Sequence, residues 1–349
     1  MMPLHEMTRL STFVILISFG FAACNNSQGP DVSAVKISAP IERFDDYFFT
    51  KFDTTNARES LVKMQTAYPY FTRDFITNIL GLPLGNLKAD SIPAMTISEI
   101  KRFKSLTQPI YGMLSARFRN TATIRKGIEI GFSHLHYYYP AYRIPRVVMY
   151  LGPFNAPGVA LTNDALAIGL QLFAGKDFSF YTTPTGMEMF PAYISRTFEP
   201  EYIPANCMKV IIGDLYLDRK KGRPLIEEMI EKGKDWYLLN KLLPGEADSL
   251  KTGFTASQLN FCEKSEGMIW NAILQGSDLY TTDPTIIQNY IGESPKTPGM
   301  PDAAPGNIGQ WIGYRIVMQY ASKNEKLSPD EIMKTDPAKL FAESKYKPR

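Results

Sequence analysis

Acid–base chemistry finds its best supply of residues between positions 214 and 231. Glu227 and Glu231 stand four apart, and Asp214 and Asp218 do the same on the segment before them. On helices each pair shares a face. Neighbouring carboxyls can divide hydrolytic work when one is held protonated and the other stays ionised. Asp214, Glu227 and Glu231 are therefore the candidates for a metal-independent hydrolase or a glycan-active enzyme. The competing reading is a solvated acidic face beside the basic turn at 219–223. Metal chemistry is worse served. His134 and His136 are the only close histidine pair. In a helix their rings point about 200° apart and cannot share an ion. The chain holds no HExxH, CxxC, G-x-S-x-G, Walker A or G-x-G-x-x-G pattern. Neither a metal nor another cofactor is expected.

Two further segments combine polar and aromatic residues. Residues 190–203 (FPAYISRTFEPEYI) set Arg196, Glu199, Glu201 and Tyr202 among prolines and rings. Such a stretch forms an ordered loop stapled by arginine–carboxylate pairs, or presents a recognition surface. Residues 306–320 carry glycines at 306, 309 and 313. On a helix Gly309 and Gly313 lie about one turn apart and let a neighbouring backbone approach closely. Ile308, Trp311, Ile312 and Ile316 form the apolar face of that helix.

Positioning these residues requires a folded domain, and 44% hydrophobic with 21% charged residues supplies one. Hydrophobic spacing predicts helices over 41–50, 57–66, 71–80, 98–115 and 121–138. Short β-branched or apolar runs at 145–151, 158–161 and 165–173 predict two or three strands of a small antiparallel or mixed sheet. Helices follow over 204–217, 224–239, 256–274, 284–290 and 307–322, with short turns near Ser328 and Asp336. The Pro- and Gly-rich stretch 292–306 is the longest irregular one. No internal repeat is visible. The pattern is that of one α+β domain over 41–349, helix-dominated around a small sheet.

Composition excludes several classes. Three histidines and three cysteines in 349 residues rule out iron–sulfur arrays, zinc fingers and a disulfide framework. With 38 basic against 35 acidic residues and no Lys/Arg stripe, nucleic acid is not expected as a partner. Residues 1–23 read as a signal peptide, with a charged start, an apolar run over 10–21 and small residues Ala22 and Ala23. The string at 21–24 resembles a bacterial lipobox, which implies cleavage before Cys24 and its acylation by chains such as palmitate. Several acyl chains on one cysteine give stable attachment where one is marginal. Residues 24–40 are then a lipidated tether. No later run of 18 apolar residues exists, so the mature chain sits on a membrane through Cys24 without spanning it. No acidic cluster follows Cys24, which favours a periplasm-facing anchor and leaves inner or outer membrane open. In an oxidising compartment Cys207 and Cys262 could pair, but 55 positions apart on separate helices they are expected as two buried free thiols.

Several segments together resemble the gliding-motility lipoprotein B (GldB) family of Bacteroidota. They are the lipobox, 43–49 (RFDDYFF), 150–174, 193–203 (YISRTFEPEYI), 224–244 and 307–320, in the family's order. The resemblance implies a part in gliding motility and type IX secretion machinery, with other proteins of that machinery as partners. The layout is also similar to predicted zinc-dependent proteases. There, an HExxH helix precedes one with a glutamate before a glycine, then a helix of Gly-x-x-x-Gly-Tyr-Arg type. Here residues 203–216 stand where the HExxH helix would be and contain no histidine. Glu231 matches the glutamate, and 309–315 match the third helix. The resemblance thus implies a zincin-like scaffold without its metal, working as a non-catalytic protein-binding scaffold. Arg196, Glu199, Tyr202, Glu231, Trp311 and Arg315 are the residues expected in its partner-binding cleft. A lipoprotein that binds a small or lipidic ligand would instead need a large enclosed apolar pocket.

Overall fold

In the computed structural model the sheet at the heart of the molecule has four strands. It describes residues 29–86, 88, 91–217, 222–276 and 279–348. The signal peptide, Cys24, the first residues of the tether, Asp218 and the basic residues 219–221 lie outside the described residues. The strands are β1 (Ile41–Arg43), β2 (Arg146–Tyr150), β3 (Val159–Leu161) and β4 (Ala165–Gly169), in the order β1-β2-β4-β3. β1 and β2 are parallel, as are β2 and β4, and β3 closes the other edge antiparallel to β4. Residues 147–150 and all of β4 are buried. Strands covered on both faces read as continuous apolar runs, and that is how they appear in the sequence.

Elements that depart from the periodicity include β1, the end of β4 and the helix expected over 256–274, and residues 75–79 of the helix expected over 71–80 are π-helical. Residues 41–43 were expected to begin a helix, yet they form β1, paired Ile41 to Val147 and Arg43 to Met149; the helix starts only at Phe44. A three-residue edge strand carries no periodicity of its own; its pairing with β2 creates it. The strand expected over 165–173 stops at Gly169, because Gln171 turns inward. Its side chain accepts from the Gly152 amide at 3.0 Å while Leu170–Leu172 coil into a 3-10 turn. The helix expected over 256–274 is two, Ala256–Lys264 and Glu266–Gly276, which break at Ser265.

Helices surround this sheet, making the fold α+β. One contiguous buried cluster runs from Ala39 to Tyr346. Against β2, Phe44 meets Phe71 at 4.9 Å and Phe75 at 4.8 Å, and Tyr150 closes the same aromatic group. Aromatic pairs in these offset or edge arrangements add to the area they bury. The helix Leu225–Leu242, hereafter the central helix, is buried on almost every side. It crosses Ile308–Lys323 at two glycines. A Cβ on Gly233 would lie 2.1 Å from the Gly313 carbonyl carbon, and one on Gly313 would lie 1.7 Å from the Met229 oxygen. Gly313 thus makes the close backbone approach expected of it. The helix Ile203–Leu215 is fixed in the same way: Cβ atoms on Gly127 and Gly131 would meet Pro204 and Met208 at 2.6 Å.

Among the described residues no helix is long and apolar enough to cross a membrane. Cys207 and Cys262 are both buried and free.

Candidate functional site

The segment 190–203 forms one wall of a cleft and turns directly into the helix Ile203–Leu215. Its aromatic residues anchor it. Phe190 and Phe198 pack edge-on at 5.1 Å, and Tyr181 meets Phe198 at 5.2 Å. Arg196 then fixes the wall to a distant part of the chain. Its Nε donates to the Tyr193 carbonyl at 2.9 Å and its Nη2 to the Gly253 carbonyl at 2.9 Å. Its Nη1 donates to Gln258 Oε1 at 3.3 Å. A guanidinium holding three acceptors in one fork is a rigid clamp. The arginine–carboxylate staple expected here also exists, but through another arginine. Glu199 pairs with Arg117 and accepts from the Lys176 amide at 3.0 Å.

The cleft itself has a volume of about 210 Å³, and its lining includes Arg196, Tyr202, Asn206, Lys209, Glu293 and Asn307. Asn206 and Lys209, three apart, share one face of the helix Ile203–Leu215. From the opposite side the loop after residue 291 brings Glu293, whose Oε1 accepts from Asn307 Nδ2 at 3.0 Å. Asn307 adopts a left-handed backbone, φ 48°, just before the helix Ile308–Lys323 begins. Such a conformation is accessible to asparagine at little strain. Lys209 makes no hydrogen bond or ion pair with any described residue. Loss of solvent pushes its ammonium below the ordinary lysine pKa, and the negative charge of Glu293 opposes that shift. A second compartment of about 310 Å³ adjoins the first across Thr197, Asn206 and Lys209. Its other lining residues include Val159, Leu172, Phe173, Phe198 and Val210.

Of the six residues expected in one cleft, Arg196 and Tyr202 line it. The other four lie elsewhere. Glu199 turns to the far side of the same segment, toward Arg117. Glu231 is 7% exposed and accepts from Lys234 Nζ at 2.9 Å, and Lys234 also donates to the Thr335 carbonyl at 2.6 Å. Trp311 is buried beneath Arg315, whose guanidinium sits 5.8 Å from the indole. Arg315 Nε donates to Glu266 Oε1 at 3.0 Å, which also accepts from the Tyr346 hydroxyl at 2.8 Å. Trp311, Arg315, Glu266 and Tyr346 therefore form a separate cluster.

The three candidate carboxylates are likewise dispersed. Asp214 accepts from the Tyr142 hydroxyl at 2.8 Å, in a pocket that also contains Arg143 and Asp164. Glu227 pairs with Arg223 at 3.2 Å. Glu231 has Lys234, as above. Divided acid–base work needs two carboxyls facing one bond, and these face three different surroundings. His134 is buried, with Nδ1 2.9 Å from the Ile130 carbonyl of its own helix. Among the described residues no group of three His, Cys, Asp or Glu side chains is placed to hold a metal ion.

Sequence reasoning missed Lys209, Asn206 and Glu293. One signal for Lys209 was present: it is a lone charge inside the run Cys207-Met208-Lys209-Val210-Ile211-Ile212. A charge embedded in a core-facing stretch is worth following to its surroundings.

Residues 25–348 match the family model described as gliding motility protein GldB. No curated protein and no solved structure matches the chain. The match leaves only residues 1–24 and 349 outside it, so the chain belongs to the gliding motility protein GldB family and is a gliding-motility lipoprotein.

Proposed function

We propose that this lipoprotein is a non-catalytic, periplasm-facing scaffold of the gliding and type IX secretion machinery, anchored through acylated Cys24. Its docking site is the cleft between residues 193–209 and 293–307. The observation that carries the reading is the rigid, polar construction of that cleft. Arg196 locks one wall to Gly253 and Gln258, and Asn307 holds Glu293 on the other. A pre-organised wall lowers the ordering cost of capturing a partner. The Thr197 and Ser294 hydroxyls of the cleft wall are engaged locally: Thr197 donates to the Ile194 carbonyl at 2.8 Å and Ser294 to the Lys296 carbonyl at 3.1 Å. Neither faces a histidine, so a nucleophile with its base is not part of this reading. On the same reading the fold is a peptidase-like scaffold. The helix Ile203–Leu215 stands in it where a metal-binding helix would be, with Asn206 and Lys209 turned to the cleft.

The test is a crosslinking pull-down and a gliding assay in cells that carry Arg196→Ala or Tyr202→Ala, with Arg143→Ala as a variant outside the cleft. Loss of partner capture and of gliding in the first two, with normal protein levels, is expected. Undiminished capture and gliding in both would overturn the docking site. Cys24→Ala should move the protein out of the membrane fraction; retention there would overturn the anchor.

A further inference from the structure

We propose that the cleft binds the free C-terminal carboxylate of a peptide, with Lys209 as its counter-ion and the last, apolar side chain in the adjoining compartment. This rests on the cleft being the docking site and adds what it recognises.

The first support is a contrast among buried and half-buried lysines. Lys104 donates to the carbonyls of Phe48, Phe49 and Phe52, and so closes the end of the helix Phe44–Lys51. Lys234 has Glu231 and the Thr335 carbonyl. Lys251 has Asn240 and, at 2.8 Å, Asp248. Each of these charges is satisfied within the protein. Lys209 is not, although it lines both compartments. An ammonium partly withdrawn from water without a close partner is costly, and an incoming anion offsets that cost.

The sign of the site agrees. Two cations, Arg196 and Lys209, line it against one carboxylate, Glu293, one of whose oxygens already accepts from Asn307. The class of anion follows from the donors. Phosphate recognition favours an open arginine fork, but Nε, Nη1 and Nη2 of Arg196 all donate to protein acceptors. Of the five guanidinium N–H groups one on Nη1 and one on Nη2 remain, so the Lys209 ammonium, whose three donors meet no described acceptor, is the main counter-charge, which suits one carboxylate. The polar compartment also presents the amides of Asn206, Gln258 and Asn307 and the hydroxyls of Tyr193 and Tyr202. These match the repeated donors and acceptors of a peptide backbone. A fatty acid carries only one polar end and would leave them unused. Next to Lys209, the compartment lined by Val159, Leu172, Phe173, Phe198 and Val210 offers an apolar seat for a side chain. A carboxylate at Lys209 places the last residue at the boundary between the two.

The experiment uses the full chain in lipid nanodiscs and two tripeptide pools randomised at every position, one ending in a free carboxylate and one in an amide. Retained peptides are identified by mass spectrometry, with decanoate and inorganic phosphate as competitors. The acid pool is expected to be retained with apolar last residues, and the amide pool at least tenfold less. Lys209→Met should reduce retention at least tenfold, and Lys101→Met, on the exposed face of Ala94–Arg117, should leave it unchanged. If Lys209→Met does not fold, Asn206→Asp supplies the same test, because it sets a like charge against the carboxylate. Equal retention of acids and amides would overturn the counter-ion, as would full retention by Lys209→Met. Competition by decanoate without any retained peptide would overturn the peptide in favour of a lipidic ligand, and competition by phosphate alone would overturn the carboxylate. If neither pool binds while Arg196→Ala still loses partner capture in cells, this inference falls and the docking site stands.

Discussion

Lys234 is buried and Lys209 half-buried, and the molecule treats them in opposite ways. Lys234, on the central helix, holds Glu231 and reaches the carbonyl of Thr335, so that one charge ties together two stretches far apart in the chain. Lys209 sits one helix away, lines the cleft, and ties nothing together. The first is a structural charge and its surroundings are closed. The second, on the proposed reading, is a charge kept for a ligand that arrives from outside. A charge enclosed in protein is thus informative only together with its partners: satisfied, it explains the fold; unsatisfied and facing a cavity, it points to recognition.

Breaking the pair at Lys234 gives the largest expected effect. Lys234→Met takes away the buried ammonium that joins Glu231 to the Thr335 carbonyl and should destabilise the protein by about 3–5 kcal/mol. Urea unfolding followed by circular dichroism measures it, and a loss below about 1 kcal/mol would show that the two lysine sites are not different in kind. Gly313→Ala comes next. Its Cβ would fall 1.7 Å from the Met229 oxygen, so the two helices must separate, at about 2–3 kcal/mol. The same unfolding curve should show it, with the cleft's ligand binding intact in the folded fraction.

Lys209→Met should act in the reverse direction and raise stability by about 1 kcal/mol at neutral pH, since it removes a partly desolvated charge that has Glu293 only at a distance and no hydrogen bond or ion pair with a described residue. The pH dependence sharpens the point. The Lys209 pKa is lowered in the folded chain relative to the ordinary value of 10.5. Between those two values the unfolded chain binds the proton more readily, so stability rises with pH across that window. Arg196 and Glu293 face the same cleft, and the attraction of Glu293 narrows the window without reversing the sign. The rise should vanish in Lys209→Met, which unfolding at pH 7 and pH 10 can measure. The smallest effect belongs to Arg315→Ala. This partly exposed arginine pairs with Glu266 and lies over Trp311, and its loss should cost about 1 kcal/mol or less. A shift of only a few degrees in thermal unfolding would confirm that this cluster is a surface tie and not a second core site.

Much of the scaffold was legible residue by residue. The apolar runs that became β2 and β4 need no distant information, because strands buried on both faces must be apolar throughout. Gly309 and Gly313 announced a close crossing through their spacing alone, and Gly313 makes it. The site was legible only in part. Arg196 and Tyr202 were found because an arginine among aromatics and prolines is conspicuous. Glu231 and Arg315 looked equally eligible, yet Glu231 faces Lys234 and Arg315 faces Glu266. Helical spacing tells which residues share a face and not which neighbour that face meets.

The sequence by itself determined the helical periods, the apolar strands, the small residues at helix crossings and the family to which the chain belongs. Each of these is written in local spacing or in contiguous motifs. Only the tertiary structure decided which charges are satisfied. Arg196 finds its acceptors 57 and 62 positions away, at Gly253 and Gln258, and Lys234 finds one 101 positions away, at Thr335. Partners at such separations are chosen by how the helices pack, and the same packing left Lys209 with a cavity in place of a partner.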